Sequence, residues 1–530
     1  MRHVESPQIP TRCDVVVIGA GMAGLSCATY LARGGMNVLL VEKHYSPGGC
    51  CSSFERGSYY FDAGAHYLSS CRPEGQVGRL IRDLGLKLEL LHCNPSDAIY
   101  ASGRRVFLRP MGASRMSEGF EQAFPCEAAQ TRKFWHYLEE TGAAQLYADL
   151  RHLTFRELLD QFFSDGELKD LLSVPLGNIG LPSYRASALT AAFLFREYLL
   201  DGGYYPRGGM QRLPDSLIER FQELGGHVAF LTSAERIRVN ATGCVQSVSV
   251  KIMGKHHQEV VARFVVATCD PFLLEMKLLA DEDRWRIALA DQIRQRAPSI
   301  SCFMVHLGVS MDLASASPDR CNVWYSPGSD VDAYYQGILD GNVAFGHDGF
   351  VICSIPTFHD PSLLPNRKHS IHAIVGAPFK DQAFWDAHKE QLADDVVMRL
   401  ERFLPGISER IEVRQIATPQ TIVKYTGNHL GAMYGWAALP EHVGNDRLGE
   451  GALGIEGLYL AGHWTGLPTG YSGIPTVVGC GRRVAEKILR ANKSGCPLVA
   501  FGYSPHSNGN LNDIGDQTGK ITRTTSKSIV

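Results

Sequence analysis

Gly19, Gly21 and Gly24 stand in GxGxxG spacing directly after the apolar run Val15 to Ile18, and an acidic residue, Glu42, follows at the end of a second apolar run. Residues of these types at this spacing can bind a dinucleotide. Gly19 permits a tight turn, Gly21 lets a diphosphate approach the backbone, and Gly24 allows close packing of helix on strand. With Met22 and Ala23 they open a helix whose unpaired N–H groups and partial positive charge suit phosphate. Glu42, beside Lys43, is placed to accept hydrogen bonds from ribose hydroxyls, and its charge disfavours a 2'-phosphate.

The elements that must position these residues are legible around them. Val15 to Ile18 reads as a buried parallel strand, Leu25 to Arg33 has helical spacing, and Asn37 to Val41 reads as the second strand of the unit. The chain continues "HYSPGGCCSSFERGSYYFDAGAHYL". A simple nicotinamide dehydrogenase would continue into alternating helices and strands, whereas this segment is a double-glycine turn followed by short aromatic-rich strands. FAD is therefore the expected dinucleotide.

At these residues the sequence resembles the flavin-dependent phytoene desaturase, carotenoid isomerase and retinol saturase superfamily, itself related to the amine oxidases. Gly48 and Gly49 match the family's double glycine, and Phe61, Asp62 and Gly64 match a later element. Cys50, next to Cys51, stands where the amine-oxidase branch has arginine, which favours the carotenoid-type branch over an amine substrate. Gly208, Gly209 and Met210 match a block in which a turn begins a helix, stopped here by Gly225 and Gly226, and the following strand, from Val228, serves the adenine side of FAD. The segment "GLYLAGHWTGLPTGYSGIPTVVGCGRRVAEKI" resembles the family's last block: strand Leu458 to Ala461, Gly462, a bend through Gly473, and a helix from Ile474 with Pro475 in its first turn. His463 stands where the family often has aspartate. The resemblance implies that this helix start faces the flavin pyrimidine, where backbone N–H groups stabilise negative charge on the reduced ring.

The implied fold is α/β: a Rossmann-like, discontinuous FAD-binding domain built from 12–72, 203–285 and 450–492, with an inserted mixed α+β substrate-binding domain from 73–202 and 286–449. The first inserted stretch reads as largely helical. The second mixes strands with helices such as Asp386 to Phe403. "RASALTAAFLFREYLLDGGYY" is apolar enough for a core helix, a channel wall or a surface-dipping helix. Residues 503–530 lose apolar periodicity and read as a disordered tail.

The resemblance implies redox or flavin-assisted chemistry on an apolar conjugated polyene, carotenoid-like or polyketide: desaturation, saturation or reductive cyclisation, with NAD(P)H as a candidate external reductant. A flavin-dependent cis-trans isomerase is the alternative in the same branch. A lipid-binding chaperone of the GDP-dissociation-inhibitor type shares the architecture without FAD. His66 and Tyr67 are the candidate catalytic side chains, since "FDAGAHYL" leads toward the flavin ring in related folds, and a histidine exchanges protons near neutral pH. The competing reading makes His66 a packing residue bonded to a backbone carbonyl. Tyr471, Lys424 and Tyr425 are weaker candidates.

Bulk properties narrow the field further. With 530 residues, 45% of them hydrophobic, the chain can bury a large core. A net charge of -3 without a Lys/Arg run excludes the electrostatic footprint of a nucleic-acid binder. Fourteen scattered cysteines without metal-ligand spacing fit reduced thiols in a cytoplasmic protein. No apolar run approaches the roughly 18 to 20 residues needed to span a bilayer, so membrane contact would be peripheral. Oligomeric state stays open at this level.

Overall fold

The computed structural model describes residues 9–313, 320–328, 330–363, 368–443, 454–465 and 473–493. The expected tail at 503–530 and Tyr471 lie outside these residues. The strands run β1 (Arg12–Ile18), β2 (Val38–Val41), β3 (Ser53–Arg56), β4 (Tyr59–Asp62), β5 (Leu90–Cys93), β6 (Asp97–Ala101), β7 (Arg104–Leu108), β8 (Gly203–Pro206) and β9 (His227–Ala229). They continue through β10 (Thr232–Val239), β11 (Val245–Ile252), β12 (His256–Ala267), β13 (Ser301–Ser310), β14 (Asn322–Ser326), β15 (Val351–Ser354), β16 (Lys368–Ala377), β17 (Ile411–Ala417) and β18 (Leu458–Leu460).

The first sheet has the order β10-β11-β12-β1-β2-β9, with β18 also paired to β12. Its parallel part comprises β18, the end of β12, β1, β2 and β9. The β1 residues Val15, Val16 and Val17 have no exposed surface, as a strand covered on both faces requires. Val15, Val17, Val38 and Leu40 face one side, with Leu25, Leu31 and Val484 of the helices Met22–Arg33 and Ile474–Lys493. Val16, Ile18, Leu39 and Val41 face the other, against the antiparallel β10, β11 and β12. The first helix begins at Met22, ahead of the Leu25 from which apolar spacing is legible, because Ala23 and Gly24 in its opening turn carry no periodic signal. Helix Gln76–Leu84 buries Val77, Leu80 and Leu84 in the same core as the first helix.

The second sheet has the order β17-β13-β16-β15-β14-β6-β7. Odd positions of β13, such as Phe303, Val305 and Leu307, pack with Trp385, Leu392, Val396 and Leu400 of helix Gln382–Glu401. Even positions such as Cys302 and Met304 face the helices between residues 113 and 200.

The stretch 73–202 is largely helical, as expected, and also supplies β5, β6 and β7. The β6–β7 hairpin turns on Ser102 (φ 51°) and Gly103 (φ 71°), the two positive-φ residues a tight two-residue hairpin requires. The segment "RASALTAAFLFREYLL" is a core helix, the first of the readings its sequence allows. It forms a helix, Ala188–Leu194, that continues as a π-helical turn, Phe195–Leu200. Phe195 is buried, stacked on Trp135 at 5.6 Å and met edge-on by Phe155.

Candidate flavin site

The loop after β1 has the shape that phosphate requires. Gly19 has φ +105°, and a Cβ there would fall 2.6 Å from Thr268 Oγ1. A Cβ on Gly24 would fall 2.0 Å from the carbonyl oxygen of Gly19. Gly21 is different: it has an ordinary φ of -71°, and nothing lies within 4 Å of where its Cβ would be. That open space adjoins the start of the first helix, where no side chain caps the amides of Met22, Ala23 and Gly24. These residues fit the diphosphate of a dinucleotide.

Glu42 closes one side of the cradle. Its carboxylate accepts hydrogen bonds from Ala20 N–H (2.7 Å) and His44 N–H (2.9 Å). A carboxylate offers about four acceptor positions, so two remain for ribose hydroxyls. Its backbone N–H donates to Ala229 O (2.9 Å), which fixes β9, and Val228 pairs with Leu40 on the adjoining strand. Lys43 is exposed, with Nζ close to Gly427.

The double glycine docks directly on the phosphate loop. Gly48 (φ +118°) donates its N–H to Ala20 O at 2.8 Å, and a Cβ on Gly49 would lie 3.3 Å from Gly21 Cα. Cys50 O accepts from Ala65 N–H at 2.9 Å, and a Cβ on Gly64 would come within 3.0 Å of it. Cys51 is buried, and burial pushes its thiol far up from the usual range, so it packs and does not react. Buried Asp62 accepts from Tyr205 Oη (2.7 Å), Ser53 Oγ (2.9 Å) and Met210 N–H (3.4 Å), tying β4 to the turn Gly208–Gly209–Met210. Burial raises its carboxyl to about 6.

The chain's other end arrives at the same place. Gly462 (φ +119°) follows β18, its Cβ position 3.8 Å from Ala23 Cβ. A Cβ on Gly481 of the final helix would meet Ala23 O at 2.3 Å, and Ser26 Oγ donates to Val478 O at 2.8 Å. Gly473 precedes that helix, and Ile474 and Pro475 begin it. His463 lies 5.7 Å from Trp464 ring to ring, and burial lowers its pKa to about 4.

His66 faces Tyr67 (4.8 Å) and, at 6.3 Å, His372. Burial holds its pKa down at about 4, partly offset by a hydrogen bond to the backbone of Gly64, the kind of bond the packing reading expects. Tyr67 is buried against Gly203, and burial followed by the nearby Asp97 carboxylate raises its phenol well above the usual range. It serves as wall more readily than as proton source. Tyr425 stacks on His44 at 5.2 Å, accepts from its Nε2 through the backbone carbonyl at 3.1 Å, and lies half exposed with Lys424 beside its ring.

The second sheet contributes polar residues that sequence reasoning missed: His306, His372, Ser354, Asn322 and Asp97, all buried. Their signal was faint, a lone histidine inside each of the apolar runs "CFMVHLGV" and "SIHAIVGA".

The chain belongs to the flavin-containing amine oxidoreductase family, which it matches over residues 22–489. It is accordingly an FAD-dependent oxidoreductase with a Rossmann-like nucleotide domain and a substrate domain. Within that family its relatives place it in the phytoene desaturase, carotenoid isomerase and retinol saturase-like superfamily. It is 26% identical to phytoene dehydrogenase of Streptomyces griseus over 530 aligned positions, covering 92% of this chain and 98% of that one. It is 24% identical to all-trans-retinol 13,14-reductase of Rattus norvegicus (81% and 78% covered) and to the chloroplastic prolycopene isomerase of Daucus carota (85% and 76%). Among solved structures, an oxidoreductase from Methanosarcina mazei superposes with a TM-score of 0.64 at 15% identity, covering 89% of this chain and all of that one. Putrescine oxidase bound to putrescine gives 0.61 at 17%, covering 90% and 99%. Among the described residues no helix is long and apolar enough to cross a membrane.

Proposed function

We propose that the protein uses FAD to change the bonding of a long, apolar, conjugated polyene, by desaturation, saturation or reductive cyclisation. The bound flavin supplies hydride and electron transfer that side chains cannot. In this reading Gly19, Gly21, Met22, Ala23 and Gly24 hold the diphosphate, Glu42 and Lys43 attend the ribose, and Val228 lies on the adenine side. Gly48, Gly49, Cys50, Cys51, Gly64 and Ala65 bring backbone close to the ring system, while Gly462, His463, Gly473, Ile474 and Pro475 serve its pyrimidine end. His66 is a neutral hydrogen-bonding group at the reacting edge, with Tyr67 behind it. The chain divides into an FAD domain of 12–72, 203–285 and 450–492 and a substrate domain of 73–202 and 286–449, with residues 76–84 packing on the FAD side.

The observation that carries the reading is a row of apolar side chains in register across the second sheet: Ile99, Trp324, Ile352, Ile374, Met304 and Ala417. Met304, Ile374 and Ala417 keep 8–9% of their surface accessible, whereas Phe303, Val305 and Leu307 on the opposite face keep none. Trp324 and Ile352 pack against Gly177 of the helical segments, so it is the Met304, Ile374 and Ala417 end that gives a hydrocarbon chain an apolar wall and excludes water from it. The same wall, with Cys50 in the place of arginine, speaks against an amine substrate.

Isomerisation without net electron turnover is the second reading, favoured by the likeness to prolycopene isomerase. We also infer NAD(P)H as external reductant and peripheral contact with a membrane when the polyene resides there. Anaerobic incubation of the FAD-loaded protein with candidate polyenes, with and without NAD(P)H, tests these readings through flavin absorbance and product mass. A change of two mass units marks redox chemistry, and unchanged mass with altered geometry marks isomerisation. Polyenes that neither bind nor change refute both.

A further inference from the structure

One row along from the apolar wall, the same face of the second sheet turns polar. Asp97 of β6 pairs with Asn322 of β14, Ser354 of β15 with His372 of β16, and His372 with His306 of β13. The β14–β15 pairing of Val323 with Cys353 brings Asn322 opposite Ser354, so five strands place polar residues in one line. All five residues are at most 2% exposed.

One end of this line is bonded within the protein, Asp97 accepting from Trp324 Nε1 at 2.9 Å and Asn322 Oδ1 lying 3.1 Å from His359 Nε2, whereas its centre is not. Asn322 Nδ2, Ser354 Oγ, His306 Nδ1 and both ring nitrogens of His372 lack hydrogen-bond partners. The imidazoles of His306 and His372 lie stacked at 4.5 Å, their planes 18° apart. Phe54 and Phe61 meet His306 edge-on at 5.1 and 5.8 Å, and His66 meets His372 at 6.3 Å. Each buried unpaired polar group costs about 1 to 3 kcal/mol, and native proteins rarely line up several without a use for them.

The charge of the row limits what it can receive. Burial lowers the pKa of His306 to about 3 and that of His372 well below its usual value, so both rings are neutral and each presents one donor and one acceptor. Neither Lys nor Arg stands in the row, and Asp97 sits at one end, so a carboxylate or phosphate group finds no countercharge. A hydroxyl, which both donates and accepts, matches neutral imidazole, serine and amide groups. Rows on one face of a sheet lie roughly 7 Å apart along the strands, close enough for one molecule to touch both.

We propose that this polar row, centred on His306 and His372, is the subsite for an uncharged hydroxyl end group of the polyene, whose apolar chain lies along the adjacent Ile374–Met304 row. The proposal rests on the polyene reading above and adds that the substrate is oxygenated at one end.

The test compares affinities of the FAD-loaded protein for a polyene alcohol and for the hydrocarbon of the same length without the hydroxyl, read by quenching of tryptophan fluorescence. The alcohol is expected to bind at least about tenfold tighter to the native protein, the equivalent of one to two net hydrogen bonds. In His372→Leu that preference falls to near unity while hydrocarbon affinity and bound FAD are retained. Ser354→Ala, which removes an unpartnered hydroxyl and no ring, is expected to lower the preference by about threefold and stands in should the leucine variant not fold. Equal affinities in the native protein, or a preference that survives His372→Leu and Ser354→Ala, overturn the subsite and leave the polyene reading intact. Binding of neither ligand overturns both.

Discussion

Gly21 and Gly24 stand one helical turn apart and differ in what surrounds the atom they lack. The Cβ position of Gly21 is open, and that of Gly24 lies 2.0 Å from a backbone oxygen that cannot move without shifting the loop. Gly21→Ala is therefore expected to leave the denaturant midpoint of the apoprotein unchanged and to weaken FAD retention by about tenfold or more, because the added methyl occupies space the diphosphate needs. Gly24→Ala is expected to destabilise the apoprotein itself by about 1 to 3 kcal/mol. Urea melts of the two apoproteins, alongside FAD release on dilution, decide the matter, and a Gly21 variant as unstable as the Gly24 variant would remove the case for a phosphate at this loop. This cradle was legible in the sequence because its glycines and Glu42 lie within one local unit at fixed spacing, although the partners that crowd it, Thr268, Gly462 and Gly481, come from far along the chain. His66 was legible as a position, whereas the burial that lowers its pKa was not, since it depends on neighbours such as His372 that are remote in sequence.

At the scale of elements, helix Gln382–Glu401 depends on one buried cation. Arg399 is fully buried and donates from Nε to Gly346 O (2.9 Å), from Nη1 to Phe350 O (3.1 Å), and from Nη2 to Gly346 O (2.8 Å) and Ala344 O. It thereby pins the segment leading into β15 against the helix that backs the second sheet. Arg399→Met keeps the apolar stem and removes these bonds, so an unfolding free energy lower by about 3 kcal/mol or more is expected, given charge-assisted bonds of roughly 1.5 to 3 kcal/mol each. Chemical denaturation of apoprotein checks it, and a variant as stable as the parent would show that the carbonyls find water instead. The helix itself was evident from sequence at 386–403, starting about a turn after its observed start, because a long run of good helix formers without Gly or Pro is a local signal. The β6–β7 hairpin was not, since five-residue strands joined by Ser102–Gly103 carry too short an alternation to stand out between helices. The polar row was illegible for a stronger reason. Residues 97, 306, 322, 354 and 372 become neighbours only through strand register, which no local pattern encodes.

For the whole molecule, the buried titratable groups set a pH dependence whose sign can be worked out. Burial lowers His306 to about 3 and His66, His359 and His463 to about 4, all below the 6.5 of an unfolded histidine. The unfolded chain thus binds more protons than the native one between about pH 4 and 6.5, so their contribution is intact above 6.5 and is lost as pH falls toward 4. Asp62 and Asp270 act in the opposite direction: burial raises each to about 6 from an unfolded 3.8, so between those values the native state binds the extra proton and gains as pH falls. With His372, held well below its usual value, these histidines outnumber the two carboxyls, so unfolding takes up protons near pH 5 and stability falls as the pH is lowered. The thermal midpoint of the apoprotein is therefore expected to fall steeply between pH 6.5 and 5, and to fall less steeply once His306 and His372 are both replaced by leucine, which cannot be protonated. A midpoint that holds level or rises over that interval would mean that water or charge reaches the polar row, and that its histidines are not held neutral for a ligand.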